Sequence, residues 1–447
     1  MPTDPATLDR LTDLVALARR KGADAADAVY VRSVGMAQSV RLGKPERCER
    51  EERQDIGLRV LIGRRQAAAS SADTSAPALE ALAERVLAMA KAVPEDPYIG
   101  LAEPEQLARE IPDLDLEDVS EPTADELIAR ALACEEAARA VPGIANSEGG
   151  DASWDRSEFA LAASNGFAAA FVRSGHAVSA AMIAGSGDGM ESDYDYDSAL
   201  HLEDLRDPAE VGRRAGERTV KRLNARKVQT AKVPVVYDPR VSGSLIQHLA
   251  GAINGNAIAR GTSFLKNKMG EALFPETVTI VDDPFRRRGQ RSRPFDGEGL
   301  AGSRRELIRA GRLTGWFLDL GSARQLRLES SGSASRGTGG APAPSPANLY
   351  LEPGRRSPAA LMADIEEGFY VTETMGHGVN GVTGDYSRGA AGFWIEKGQI
   401  AYPVTGVTVA GNLLDMYRTL TAADDLQFRT GIDAPTLRIE GLTLAGV

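Results

Sequence analysis

The side chains able to bind a metal or move a proton are few. Four histidines occur, His176, His201, His248 and His377, with two cysteines, Cys48 and Cys134. A hydrolytic zinc site takes three protein ligands, usually imidazoles with a carboxylate or thiolate. The H-E-x-x-H spacing that sets two imidazoles one helical turn apart is absent. His248 lies in a helical pattern, but the positions four before and four after it are Ser244 and Ala252, which favours a structural role. Neither G-x-S-x-G nor G-x-x-x-x-G-K-[ST] occurs, so the common serine elbow and phosphate loop are missing. His377, in VTETMGHGVN, sits between glycines; an imidazole is a common general base, so it can serve as a base with Asp385 or Glu373, or pack as a turn histidine. The run RRRGQRSR, Arg286 to Arg293, can clamp a carboxylate or phosphate bidentately, or pair with acids such as Asp296 and Glu298. The carboxylate-dense segment 187–207 lacks the EF-hand spacing and reads as a solvated strand and loop.

Periodicity indicates the elements that must position these groups. Leu8, Leu11, Leu14, Val15 and Leu17 recur as on a helix that Gly22 stops. Val29, Val31, Ile56, Leu58, Val60 and Ile62 alternate as in short antiparallel strands. A helix runs from Pro77 to before Pro94, and another starts at Thr123, where Glu126 completes a capping box. Between them lies a long acidic connection. Strands follow from Trp154 to Ile183, turning at Asn165 and Gly166, a pair that tolerates positive φ. After a helix from Pro208 to about Leu223, the run Val233, Val235, Val236 opens a new unit, so the domains are expected at 1–227 and 228–447. That second part carries a helix from Val241 to about Ala259, a short one after Ser357 and Pro358, and a mobile loop or lid from Ser331 to Pro346.

Composition narrows the function class. The 447 residues hold 52 Lys+Arg against 63 Asp+Glu, a net charge of −11. Such a field repels phosphate, so neither direct nucleic-acid binding nor attachment to an anionic membrane is expected. No stretch approaches the roughly 18 apolar residues of a bilayer span, and MPTDPATLDRLTDLVALARRKG lacks an apolar signal core. With only two cysteines, a reducing, cytoplasmic setting is expected.

Longer strings carry more information than single residues. RSRPFDGEG (Arg291 to Gly299), NLYLEPG (Asn348 to Gly354), MGHGVN (Met375 to Asn380), GDYSRGAAGFWIEKG (Gly384 to Gly398) and AYPVTGVTVAGNL (Ala401 to Leu413) resemble the TldD/PmbA family, in its PmbA or TldE branch. The likeness covers nearly the whole chain. Members of this family are often labelled modulators of DNA gyrase, and the activity associated with them is proteolysis of peptides.

The resemblance implies an α+β protein, with an amino-terminal α/β domain of antiparallel strands and flanking helices and a carboxy-terminal domain dominated by antiparallel sheet. It also implies a chamber shared with a TldD-type metalloprotease subunit, whose HExxxH helix and later cysteine hold a catalytic metal, expected to be zinc. The corresponding helix here reads IQHLAG, preceding RGTSF, so that Ile246, Gln247 and Gly251 take the places of the two histidines and the glutamate between them. Isoleucine has no lone pair, glutamine is a poor base and glycine offers only its backbone. No metal, no cofactor and no catalytic residue are therefore expected in this subunit. Arg293, His377, Asn380 and Arg388 are the candidates for touching peptide or supporting the chamber, and a homodimer is expected in isolation. A self-sufficient peptidase built on His377, and an interaction scaffold linked to gyrase or toxin-antitoxin proteins, are the alternatives.

Overall fold

A computed structural model describes residues 5–446. The leucine-spaced segment forms α1 (Pro5–Arg20), followed by β1 (Ala25–Arg41), β2 (Lys44–Ile62) and β3 (Arg65–Ser71). Then come α2 (Ala76–Ala92), α3 (Ala124–Arg139), β4 (Ile144–Ala163), β5 (Ala168–Ala184), β6 (Glu191–Ala199) and α4 (Pro208–Lys221). The six strands form one antiparallel sheet in the order β3-β2-β1-β4-β5-β6. They are not short: β1, β2, β4 and β5 run 17 to 20 residues. Gly43 and Gly63 stand in the turns between these strands, whereas Gly35 is carried inside β1.

Helices cover parts of this sheet. α1 and α2 bury Leu11, Leu14, Leu82 and Val86 against Ile56, Leu58 and Val60. The Thr123 hydroxyl accepts from the Glu126 N–H and the Glu126 carboxylate accepts from the Thr123 N–H, closing the capping box at the start of α3. α3 and α4 meet at Gly212, where any Cβ would come within 1.8 Å of the Cys134 carbonyl.

The rest of the chain builds β7 (Ala231–Tyr237), α5 (Pro239–Ala252), α6 (Gly255–Ala259), β8 (Ile280–Asp283), β9 (Arg305–Arg309), β10 (Arg312–Leu313) and α7 (Leu320–Leu326). β11 (Ala334–Ser335), β12 (Ala343–Pro344), β13 (Asn348–Leu351), α8 (Pro358–Met362), β14 (Glu367–Met375), β15 (Asp385–Glu396) and β16 (Gln399–Asn412) follow. The chain closes with α9 (Leu413–Arg418), β17 (Thr421–Ala422), β18 (Ile432–Asp433) and β19 (Leu437–Ala445). One sheet has the order β16-β15-β14-β7-β19-β17, and a further pairing of β16 with β19 closes it into a ring. Only β7 with β14 runs parallel in it. A second sheet, β10-β9-β8-β13-β18, packs with α5 and the ring into the largest core.

Two differences from the periodicity reading concern this part. The helix expected to run unbroken to Ala259 stops at Ile253, and the Asn254 side chain accepts from the Asn256 N–H to start a second helix. The tract Ser331 to Pro346 is not a free lid. It carries the two-residue ladder of β11 with β12, its Arg336 reaches the buried Asp27 of β1, and Thr338 lies so close to β2 that a Cβ on Gly57 would meet its carbonyl oxygen at 2.0 Å. The missing local periodicity hid contacts made to residues some 300 positions away.

The two parts of the chain are joined by a polar and an aromatic lock. Asp27 is fully buried and accepts from Arg59 Nε at 2.9 Å, from a second Arg59 nitrogen and from Arg336. Burial alone would raise its pKa, but the Arg336 and Arg59 guanidiniums more than offset this and hold the carboxyl below its ordinary value. Phe295 enters between Phe159, Phe167 and Phe171, with ring centroids 5.1 to 6.1 Å away. The acidic segment of β6 also departs from the solvated reading. Asp195 is buried among Arg206, Arg214 and Arg218, and Asp193 pairs with Arg240 at 2.9 Å, which ties β6 to α5.

Candidate functional site

Helix α5 carries Ile246, Gln247 and Gly251, the positions that the family resemblance sets against a metal motif. It leaves β7 through Asp238, whose carboxylate accepts the Arg240 N–H, with Pro239 in the first turn where its missing N–H costs nothing. Leu245, Ile246 and Leu249 turn into the core and are fully buried. Gln247 and Gly251, four residues apart, face outward. Gln247 lines a cavity of about 220 Å³ with Ser244, Tyr196, Arg240, Arg429 and Asp433.

These residues do not fit a metal. Ile246 belongs to the largest apolar core, so an imidazole in its place would be desolvated and packed against hydrocarbon. At Gly251 a Cβ would meet nothing within 4 Å, so there is room for a side chain but no donor. Among the described residues, no group of three or more His, Cys, Asp and Glu side chains is placed to hold an ion.

The histidines are dispersed. His176 pairs with Asp118 at 3.2 Å and His201 with Asp115 at 3.4 Å, both in the amino-terminal part. His248 belongs to α5 itself, its ring 6.2 Å from that of Tyr386 and steeply inclined to it, and its Nε2 is buried without a hydrogen-bond partner. Burial first, and then the positive charge of Arg388, lower its pKa and keep the imidazole neutral. The Tyr237 and Tyr386 hydroxyls share this interior, and burial pushes both phenols upward.

Three of the predicted contact residues lie at the loop end of the β14–β15 hairpin. His377 is exposed on the connecting loop. Asn380 organises that loop, its side-chain oxygen accepting the Val382 N–H at 2.9 Å and the Thr383 N–H at 3.3 Å. Arg388 donates to the Met375 carbonyl at 3.0 Å and to the Thr374 hydroxyl at 3.3 Å, so it braces the hairpin while acting on His248 from the other side. The carboxylates considered as partners of His377 are engaged elsewhere. Glu373 pairs with Arg222 at 2.7 Å, and Asp385 accepts from the Thr383 hydroxyl at 2.7 Å.

Arg293 is not part of that cluster. The basic run divides, and the part of it that pairs with acids does so with residues other than Asp296 and Glu298. Arg288 pairs with Asp115, Glu203 and Asp204 at 2.5 to 2.9 Å and Arg287 with Asp115, whereas Arg291 and Arg293 turn inward and line a different cavity, beside the Phe295 lock. Sequence reasoning missed the partners of that cavity, Arg173 and the phenylalanines of β4 and β5, because nothing local marks them.

Comparison with known proteins gives matches along the chain. Residues 26–90, 117–223 and 230–446 match, in order, the models of PmbA/TldA metallopeptidase domain 1, central domain and C-terminal domain. The chain is 36% identical to Metalloprotease PmbA of Escherichia coli O157:H7, covering 95% of this chain and 92% of that one. It is 34% identical to the Metalloprotease PmbA homolog of Haemophilus influenzae, covering 97% and 94%. Among solved structures, a Bacteroides thetaiotaomicron protein described as a modulator of DNA gyrase superposes with a TM-score of 0.91 at 27% identity, over 100% of both chains. TldE from Thermococcus kodakarensis shares the fold, with a TM-score of 0.86 at 22% identity over 98% of this chain and 100% of that one.

Proposed function

The chain belongs to the TldD/PmbA metallopeptidase family, and from that premise we propose that it is the subunit of a TldD-type metalloprotease complex that carries no catalytic metal itself. The observation that carries the proposal is the state of α5: Ile246 buried in the core, Gln247 without a carboxylate, Gly251 without a side chain. A TldD-type partner supplies the zinc, and this subunit helps enclose an unfolded or extended peptide. In that role the hairpin bearing His377, Asn380 and Arg388 contacts peptide or supports the chamber wall, and Arg293 acts from its separate cavity. The complex works in the cytoplasm, and the isolated subunit self-associates as a homodimer. No helix of the described residues is long and apolar enough to cross a membrane.

The test is reconstitution. The purified chain alone is expected to leave an unfolded peptide intact, and addition of a TldD-type subunit is expected to give chelator-sensitive cleavage that neither chain shows alone. Cleavage by the isolated chain at the rate of the mixture overturns the division of labour. A second reading, an interaction scaffold acting on gyrase, is favoured by the description of the Bacteroides thetaiotaomicron relative. Under that reading, binding to purified gyrase persists when the peptidase partner is inactivated.

A further inference from the structure

The cavity beside the Phe295 lock has a volume of about 320 Å³, at the small end of the roughly 300–1,000 Å³ of pockets that hold small molecules. One wall is aromatic: Phe159 and Phe171 from adjacent strands β4 and β5, and Phe295 from the other part of the chain. The other wall carries the guanidiniums of Arg173, Arg291 and Arg293. Their protein partners are backbone carbonyls: Arg173 donates to Gln290, and Arg293 to Ser345 at 2.9 Å. None of the three forms an ion pair among the described residues, in contrast to Arg287 and Arg288 of the same run.

Asp155, Asp282 and Asp296 lie near these guanidiniums, and none of the three acids forms an ion pair with them among the described residues. Glu158 and Asp296 line the same cavity. Asp296 spends its oxygens on the backbone N–H groups of Glu298, Leu300 and Ala334, at 2.9 to 3.0 Å. Through space, Asp296 and then Asp282 act on Arg293, Asp282 on Arg291 and Asp155 on Arg173, while the close partner of Asp282 is Arg305, at 3.5 Å. Arg336, which also borders the cavity, adds a further guanidinium that shares the single Asp27 with Arg59. Burial opposes the charge of Arg173, Arg291 and Arg293 alike, and Arg293 Nε is left without an acceptor. Three desolvated guanidiniums facing an aromatic wall form a site for an anion with an apolar body.

We propose that this cavity binds a carboxylate carrying an apolar, preferably aromatic, group, with Arg291 and Arg293 receiving the carboxylate and the Phe159–Phe171–Phe295 wall receiving the body. A planar carboxylate suits the fork of a guanidinium, whereas a phosphate would leave the aromatic wall uncovered. The site does not depend on the metalloprotease reading, because it lies apart from α5 and from the β14–β15 hairpin.

Calorimetric titration of the full-length protein tests the proposal. A free aromatic acid and the end of a peptide present the same chemistry, so the probes are 3-phenylpropanoate and N-acetyl-Ala-Phe, each beside its amide, with inorganic phosphate as a third arm. At least one acid is expected to bind about tenfold or more tightly than its own amide, and the acid that does so identifies the source. Arg291→Gln and Arg293→Gln are each expected to reduce that preference. The acid-to-amide comparison on the unaltered protein needs no variant to fold. Equal binding of acid and amide, binding of neither acid, phosphate binding as tightly as the better acid, or folded arginine variants that keep the full preference would each overturn the assignment.

Discussion

Replacing Glu298 by glutamine should make the protein more resistant to unfolding, by an amount that grows with pH. Glu298 is buried beside Asp296, and its carboxylate accepts the Leu320 N–H at 2.8 Å. Burial is the largest influence on it and repulsion from Asp296 adds to that, while Arg59 and the Leu320 N–H act the other way. The net result lifts its pKa to about 8. In the unfolded chain the same carboxyl ionises near 4.3. Between those values the folded state holds a proton that the unfolded state has released, so stability falls by about 1.4 kcal/mol per pH unit as pH rises, and levels off above the folded pKa. The cost accumulated by pH 8.5 is on the order of 4–5 kcal/mol. Glutamine keeps an acceptor for Leu320 and has nothing to ionise. Urea denaturation of the native protein and Glu298→Gln from pH 5.5 to 9 should show the variant gaining over the native chain up to about pH 8, then running parallel. A difference that stays constant across the whole range would refute the reasoning, since it would mean that Glu298 is ionised in the folded state throughout.

Other perturbations follow from the same contacts. Asp27→Ala leaves Arg59 and Arg336 buried without their shared carboxylate and should cost about 3–5 kcal/mol in chemical denaturation. Phe295→Ala empties the aromatic lock and should cost a similar ~3–5 kcal/mol, read in the same assay. On α5 the two positions that the resemblance sets against histidines should behave differently: Gly251→His should unfold at the native midpoint, because open space receives the ring, whereas Ile246→His should be clearly destabilised. Neither single change should bring stoichiometric zinc, measured by elemental analysis after desalting.

Local rules made part of this molecule legible. The capping box at Thr123 and Glu126, the Asn165–Gly166 turn and the serine cap before Pro358 each depend on neighbours within four residues, and each stands where its pattern put it. The α+β character was legible from longer strings. What stayed hidden depends on pairing between distant residues. Asp193 and Asp195 look like solvated acids until Arg214 and Arg218 of α4, Arg206 and Arg222 at its two ends, and Arg240 of α5 close on them. The tract from Ser331 looks free because its anchors, Asp27 and Asp55, lie near the start of the chain. The arginine cavity is assembled from strands β4 and β5 and from residues 291–297, so no window of sequence contains it.

The central claim is that this polypeptide lacks the donors to bind and activate a catalytic metal. It is tested most directly by equilibrating the purified chain with zinc, desalting it, and measuring bound metal together with peptide cleavage. The account predicts zinc well below one ion per chain and no chelator-sensitive cleavage. One tightly held ion per chain, removed by chelator together with a peptidase activity of the isolated protein, would contradict it.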